Sequence, residues 1–305
     1  MSRLTCDFKN RLIFRHSVIR QRQSISAVAF NREPWSIIGS AIVFRAIAGA
    51  ASLRENEPTR RAATRGNRMQ SVGVIRQLTR YPVKSMQGEA LPSAALTLQG
   101  FAEDRRYAFV QATSRSSFPW LTARELPELL YYRTSVEKAG TPEVAVTVAT
   151  AQGEHWPIES DDLRKVLEAR SGRSLFLLRD YRGSYDVAPV SLISRQTVAR
   201  IAEESGTKEN SWRFRPNLLV DLKDARPFDE LQWVGRTLRI GSAARIAITE
   251  VDQRCVMITL DPATGESSPE ILKCVVQKHG QSAGIYATVL TPGEVRAGDP
   301  ILLEA

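Results

Sequence analysis

One cysteine in the stretch DQRCVMITLDPATG, residues 252–265, follows an arginine and precedes a strand-like run and a turn. A thiolate is both a nucleophile and a soft metal ligand, and Arg254 favours it over the thiol if the two groups approach. Two readings stay open at this level. Cys255 is a half-buried strand cysteine beside a solvent-facing arginine, or it is a thiolate kept available. Other residues have the chemistry to hold an anion. YPVKSMQG (81–88) brackets Lys84 and Ser85 between Pro82 and Gly88, so one loop can present an ammonium and a hydroxyl together. EDRRYAFV sets Arg105 at a strand entrance after Glu103 and Asp104. WRFRPNLLV puts Arg213 and Arg215 on one side of an extended segment, with Asn217 two residues on. Guanidinium forks and a lysine suit phosphate or another anion.

Composition narrows the chemistry. The 305 residues carry a formal charge of +9, but 13 of the 42 basic and only 4 of the 33 acidic residues fall in 1–68. Residues 69–305 therefore balance at 29 against 29, which removes the global electrostatic reason to bind nucleic acid. Cys6, Cys255 and Cys274 form no CxxC pair, which fits a reducing compartment and, with this composition, a cytoplasmic protein. Three thiols fall short of an iron–sulfur cluster, and the scattered His16, His155 and His279 argue against zinc. Redox chemistry would need a bound cofactor and an outside electron source.

Those residues must be positioned by a mainly β fold. The runs VGVIRQL, AALTL, RYAFVQA, LLYYRTSV, EVAVTVAT and SLFLLRD are short and β-rich, separated mostly by turn residues, and predict an antiparallel sheet curling toward a barrel. Alternation in EVAVTVAT places Val144, Val146 and Val148 on one buried face. A helix is expected over 161–171, stopped by Gly172. SLISRQTVARIAEESG reads as a helix ending at Gly206, WVGRTLRIG as a hairpin, and RIAITEV, IYATVL and PILLE as strands. SPEILKCVVQKHG has Ser268 as N-cap, Pro269 in the first position and Gly280 past the end, with Cys274 bordering its apolar face as a packed core residue. The apolar piece at 35–44 is too short to span a membrane, so no integral span is expected. Residues 1–68 read as a basic, disordered extension, with Met69 the favoured true start over a targeting or membrane-surface segment.

Taken in order, these motifs carry a resemblance. YPVKSMQGEALPSAALTLQGFAEDRRYAFVQA and LTARELPEL resemble the N-terminal β-barrel region of MOSC-domain proteins. FRPNLLVD, DQRCVMITLDPATG, the GIY triplet and PGEVRAGDPILLEA resemble the MOSC domain itself, and together they cover about residues 72–305. The resemblance implies a predominantly β, α+β architecture. An N-terminal β-barrel region would occupy 71–186, followed by a β-barrel MOSC domain over 187–305, with a few covering helices. It points to the molybdenum-cofactor enzymes typified by the mitochondrial amidoxime-reducing component and its bacterial counterparts.

By that resemblance Cys255 ligates molybdenum through its thiolate. Lys84, Ser85 and Arg105 hold the cofactor's phosphate and pterin, while Arg215, Asn217 and Tyr286 complete its pocket. Val187 and Ala188 contribute backbone contacts. Ala283 and Gly284 stand where relatives often have phenylalanine and glycine, which predicts a more open pocket wall. The implied activity is two-electron reduction of small N-hydroxylated compounds, amidoximes or N-hydroxylated bases. Electrons would come from a flavoprotein reductase, directly or through a haem or iron–sulfur carrier. The family also carries a weaker association with pyridoxal phosphate. An alternative from a different class is a molybdenum-cofactor or sulfur carrier, with a persulfide on Cys255.

Overall fold

The structure, a computed structural model, describes residues 69–150 and 152–304; the expectations for residues 1–68 lie outside the described residues. The first strands are β1 (Gln70–Arg80), β2 (Glu89–Leu91), β3 (Ser93–Thr97), β4 (Gly100–Phe101) and β5 (Tyr107–Gln111). Then come β6 (Arg133–Glu137), β7 (Ala145–Ala149), β8 (His155–Pro157), helix α1 (Asp161–Ser171) and β9 (Leu175–Arg179). After them follow β10 (Val190–Ser194), α2 (Arg195–Ser205), β11 (Leu218–Leu222), β12 (Thr237–Ile240) and β13 (Ala244–Gln253). The chain closes with α3 (Pro269–His279), β14 (Ser282–Thr291), β15 (Gly293–Arg296) and β16 (Pro300–Leu303).

The expected predominantly β fold with covering helices is what forms. Seven strands close a barrel in the order β1, β16, β12, β13, β14, β10, β11, with β11 returning to β1. β1 makes the closure possible. Its first half pairs with β16, its centre with β11 on the opposite edge, and its last residues with β2. All these ladders are antiparallel except β10 with β11, which are joined in parallel through α2, as a crossover connection requires. Period-two alternation turns Ile75, Leu192, Val220, Leu238, Ile246, Ile285 and Ile301 into the barrel core. Leu96 from β3 and Phe101 from β4 join that core, so the N-terminal stretch builds part of the C-terminal barrel.

A second core lies under β5–β9 and β6–β7, where Phe109, Val146, Val148, Leu163, Leu167 and Leu175 meet. A third packs α2 and α3 on the barrel through Val198, Ile201, Ile271 and Val275. The punctuation residues explain the helices. Ser160 Oγ accepts from the Asp162 and Leu163 amides, and Gly172 ends α1 in the left-handed conformation at φ 66°. Pro269 opens α3 and Gly280 closes it, although Ser268 makes no side-chain cap bond.

Several expectations are corrected by tertiary context. SLIS is not helix but strand β10, every residue of it buried, and the helix begins at Arg195. The first half of LLYYRTSV is a 3-10 turn, Pro127–Tyr131. MITL falls mostly in another, Val256–Thr259, rather than a strand. Val144 precedes β7 and is half-buried, while Val146 and Val148 are buried as expected. The hairpin is formed by β12 with β13, so WVGRTLRIG supplies only one of its arms.

Candidate functional site

A cleft of about 500 Å³ opens at the barrel rim between the second and third cores. It draws on the loop after β1 (Lys84, Ser85), the entrance to β5 (Arg105) and the approach to β10 (Asp186, Val187). The segment before β11 adds Arg213 and Arg215, the end of β13 adds Glu250 to Cys255, and β14 adds Tyr286. Cys255, Lys84, Ser85, Arg105, Val187, Arg215 and Tyr286 thus converge from six separate segments. Ala188 and Asn217 do not line the cleft.

Asn217 stands one layer behind it, 1% exposed. Its Oδ1 accepts from the Ser191 amide at 3.1 Å and from Arg105 at 3.3 Å, and its Nδ2 donates to Thr79 O at 3.1 Å. It stitches β1, β10 and the arginine together instead of facing a ligand. Arg213 and Arg215 diverge rather than sharing one side. Ser211–Phe214 form a 3-10 turn and Arg215 is left-handed at φ 52°. Arg213 reaches Thr259 O and Asp261 Oδ2, each at 2.7 Å, tying that turn to the segment after Cys255.

Three non-glycine lining residues, Ser85, Arg105 and Arg215, have φ of 66°, 51° and 52°. Such left-handed backbone costs energy and is typical of places where a side chain is aimed for a purpose. The two arginines share one platform, Tyr81 of the motif YPVKS, a residue the sequence reading does not single out. The guanidinium carbons of Arg215 and Arg105 lie 4.3 and 4.7 Å from its ring centroid. Burial pushes the Tyr81 phenol up to about 12, so it stays neutral beneath two cations.

Charge on the lining is strongly one-sided, six cationic side chains against three acidic ones. Most cations are neutralised at close range. Lys84 Nζ donates to Asp186 Oδ1 at 2.5 Å and to Ser184 O at 2.7 Å. Burial lowers the Lys84 ammonium from its ordinary value, and Asp186 opposes that shift. Arg105 bonds Asp104 at 2.6 Å, and Asp104 is wholly buried. Arg215 makes no ion pair among the described residues, and burial pulls its guanidinium down to about 10. A cation desolvated without a counter-charge calls for an anionic ligand.

Cys255 is exposed at the end of β13, immediately before the 3-10 turn. Arg254 does not reach toward it as a free charge. Its guanidinium donates to Ala283 O at 2.6 Å and Phe214 O at 2.9 Å, and pairs with Asp252 at 2.8 Å. Gly284 gives it room. At φ 84°, a Cβ there would stand 2.9 Å from Arg254 Nη2 and 2.7 Å from Leu192 O. Ala283 and Gly284 are therefore the seat of Arg254, not a wall of the cleft. The arginine locks β13, β14 and the 211–214 turn around the backbone that carries the thiol.

Asp252 was missed from sequence because only the fold buries it beside Tyr286. Burial pushes its carboxyl up to about 6 even with Arg254 adjacent. A carboxyl raised on folding stabilises the protonated protein, so its contribution is complete below pH 3.8 and lost as pH rises through about 6. Asp252→Asn should flatten the pH dependence of unfolding free energy across that window, measured by urea titration at successive pH values. An unchanged slope would mean that another group titrates there.

With this geometry in place, the comparisons are informative. Residues 72–171 match the MOSC N-terminal beta barrel domain and residues 180–302 match the MOSC domain, so the chain belongs to the MOSC-domain proteins. Among its relatives is mitochondrial amidoxime reducing component 2 of Bos taurus, 25% identical over 78% of this chain and 85% of the relative. Mitochondrial amidoxime-reducing component 1 of Homo sapiens is 24% identical over 90% of this chain and 95% of the relative. Molybdenum cofactor sulfurase of Drosophila willistoni is 38% identical, over 35% of this chain and only 13% of that longer protein. The YUAD protein of Bacillus subtilis aligns over 78% of this chain and 98% of its own with TM-score 0.43 and 12% identity. Among the described residues no helix is long and apolar enough to cross a membrane.

Proposed function

We propose that this protein is a molybdenum-cofactor oxidoreductase that reduces small N-hydroxylated compounds, with Cys255 as the protein ligand to the metal. The observation that carries the reading is an exposed thiol sharing one cleft with Arg215, a half-buried guanidinium without a carboxylate partner among the described residues. The donor set fits the group. A soft sulfur suits molybdenum, and a desolvated arginine over Tyr81 suits a phosphate. The cleft is of the size that encloses a compact cofactor. When bound, the molybdenum cofactor supplies the two-electron oxygen-transfer chemistry.

The chain's own residues do the rest. Arg215 and Arg105 would hold the phosphate, with Tyr81 keeping the two guanidinium planes in place. Ser85 and Lys84 border the same end of the cleft, Lys84 already oriented by Asp186. Val187 would offer a backbone contact, and Asn217 would act through Arg105. Arg254 fixes the backbone at Cys255 so that the thiol faces the cleft without searching. Asp252, raised to about 6, can hold a proton near neutral pH next to Tyr286. Amidoxime reduction consumes two electrons and two protons and releases water, so a proton reservoir at that wall is useful. The electrons would come from a flavoprotein reductase, through a haem or iron–sulfur carrier where one is present. The proposal includes a cytoplasmic location, supported by the free thiols of Cys255 and Cys274. Pyridoxal phosphate forms no part of it, because the one lysine of the lining is bound to Asp186.

A second reading rests on the sulfurase likeness and the exposure of Cys255: a cofactor or sulfur carrier with a persulfide on that thiol. Elemental analysis of the purified protein followed by a benzamidoxime assay with an artificial electron donor separates the two. About one molybdenum per chain with amidine formation supports the enzyme. Sulfane sulfur released by thiols, with no metal and no turnover, supports the carrier.

A further inference from the structure

Away from the cleft, the last turn of α2 and the middle and end of α3 bring together three side chains that each offer one metal-ligand atom. Glu204, Cys274 and His279 place a carboxylate oxygen, Sγ and a ring nitrogen within 4.8 Å of one another. Two donors converge on a single oxygen: His279 Nε2 lies 2.7 Å and Cys274 Sγ 3.6 Å from Glu204 Oε2. We infer that this cluster is a site for a divalent cation of the zinc type, clamping α2 to α3.

The chemistry of the set favours that class. One thiolate, one imidazole and one carboxylate form a mixed sulfur, nitrogen and oxygen set, which zinc accepts and calcium or magnesium does not. Zinc bonds of about 2.0–2.3 Å at tetrahedral angles put ligand atoms roughly 3.3–3.8 Å apart. The sulfur–oxygen separation already lies in that range. The oxygen–nitrogen pair must open by less than about 1 Å, a small carboxylate rotation once the shared proton leaves. The imidazole is held for the purpose by its stack on Phe228, centroids 4.0 Å apart. Cys274 is buried, whereas Glu204 and His279 are half-buried, so an entry path exists from solvent.

Scattered histidines in the sequence argued against zinc, yet only one histidine is needed. Cys274 and His279 are five residues apart on α3, and Glu204 comes from α2, seventy positions before Cys274. Two cations oppose the site. Lys278 Nζ lies 3.8 Å and Arg200 3.9 Å from the Glu204 carboxylate. Both contacts are long and both side chains about half exposed, so either can swing into solvent. Removing Lys278 should therefore tighten binding.

The test is a cobalt(II) titration of the full chain carrying Cys255→Ser, which removes the other described thiol. The expected result is a one-to-one thiolate-to-cobalt charge-transfer band with tetrahedral visible absorption, displaced by zinc and accompanied by a rise in melting temperature. Adding Cys274→Ala or His279→Gln abolishes the band, and Lys278→Ala strengthens it at limiting cobalt. No band in the Cys255→Ser protein overturns the site regardless of how the further variants fold. A band that survives Cys274→Ala overturns it equally. Neither readout depends on molybdenum or on reductase activity.

Discussion

On the proposed function, Cys255→Ala is expected to lower benzamidoxime reduction by more than about 100-fold while leaving the fold intact. The size follows from the proposed role, since even outer partners of a metal ligand cost 10–100-fold when removed. The intact fold follows from position. Cys255 is exposed and belongs to none of the hydrophobic cores, so unfolding free energy should move by no more than about 0.5 kcal/mol. Turnover with an artificial donor, molybdenum content and a thermal melt read the three quantities separately. Full activity in a metal-loaded variant would remove the thiolate from the proposal. Activity lost together with the melt would mean instead that the residue is structural.

The largest stability effect belongs to a residue outside the cleft lining. Asp104→Ala should destabilise the protein by about 3 kcal/mol, as expected when one partner of a buried ion pair is deleted. Asp104 has no exposed surface. One carboxylate oxygen accepts the Tyr81 amide at 2.7 Å and the other binds Arg105 at 2.6 Å. The substitution strands a buried donor and leaves Arg105 and Arg215 uncompensated over the same ring. A urea midpoint lowered by roughly 1 M with an unchanged slope is the expected signature. A shift within error would show that Arg105 and the Tyr81 amide find other partners at no cost.

How far the molecule could be read from its residues depends on where the information is local. Pro269 and Gly280 bound α3, and Asp161 and Gly172 mark α1, because capping is a matter of a few adjacent atoms. SLIS could not be read the same way. A wholly buried apolar run has no periodicity to distinguish strand from helix, and only pairing with β14 and β11 decides it. At the site, residue types singled out Cys255, Lys84, Ser85, Arg105 and Arg215, and the family resemblance added Val187 and Tyr286; all seven line one cleft. Tyr81, Asp186 and Asp252 were invisible because Arg215, Lys84 and Tyr286, the neighbours that set their roles, are distant in sequence. Asn217 carried the right motif but sits behind the surface, where hydrogen bonds to three segments hold it.

The closure made by β1 has a consequence for how the chain comes to be folded. Gln70 pairs with Leu303 and Gly73 with Leu222, so the earliest described strand waits for the latest before its edges are filled. Contacts of such long sequence separation make folding slow, and during synthesis the barrel cannot close until β16 has left the ribosome. The stretch between residues 171 and 180, where the two family matches part, is consequently a poor place to divide the chain. Severed there, the C-terminal piece lacks β1 and the N-terminal piece keeps a strand with neither of its long partners. The two family regions are inherited side by side but must mature as one unit.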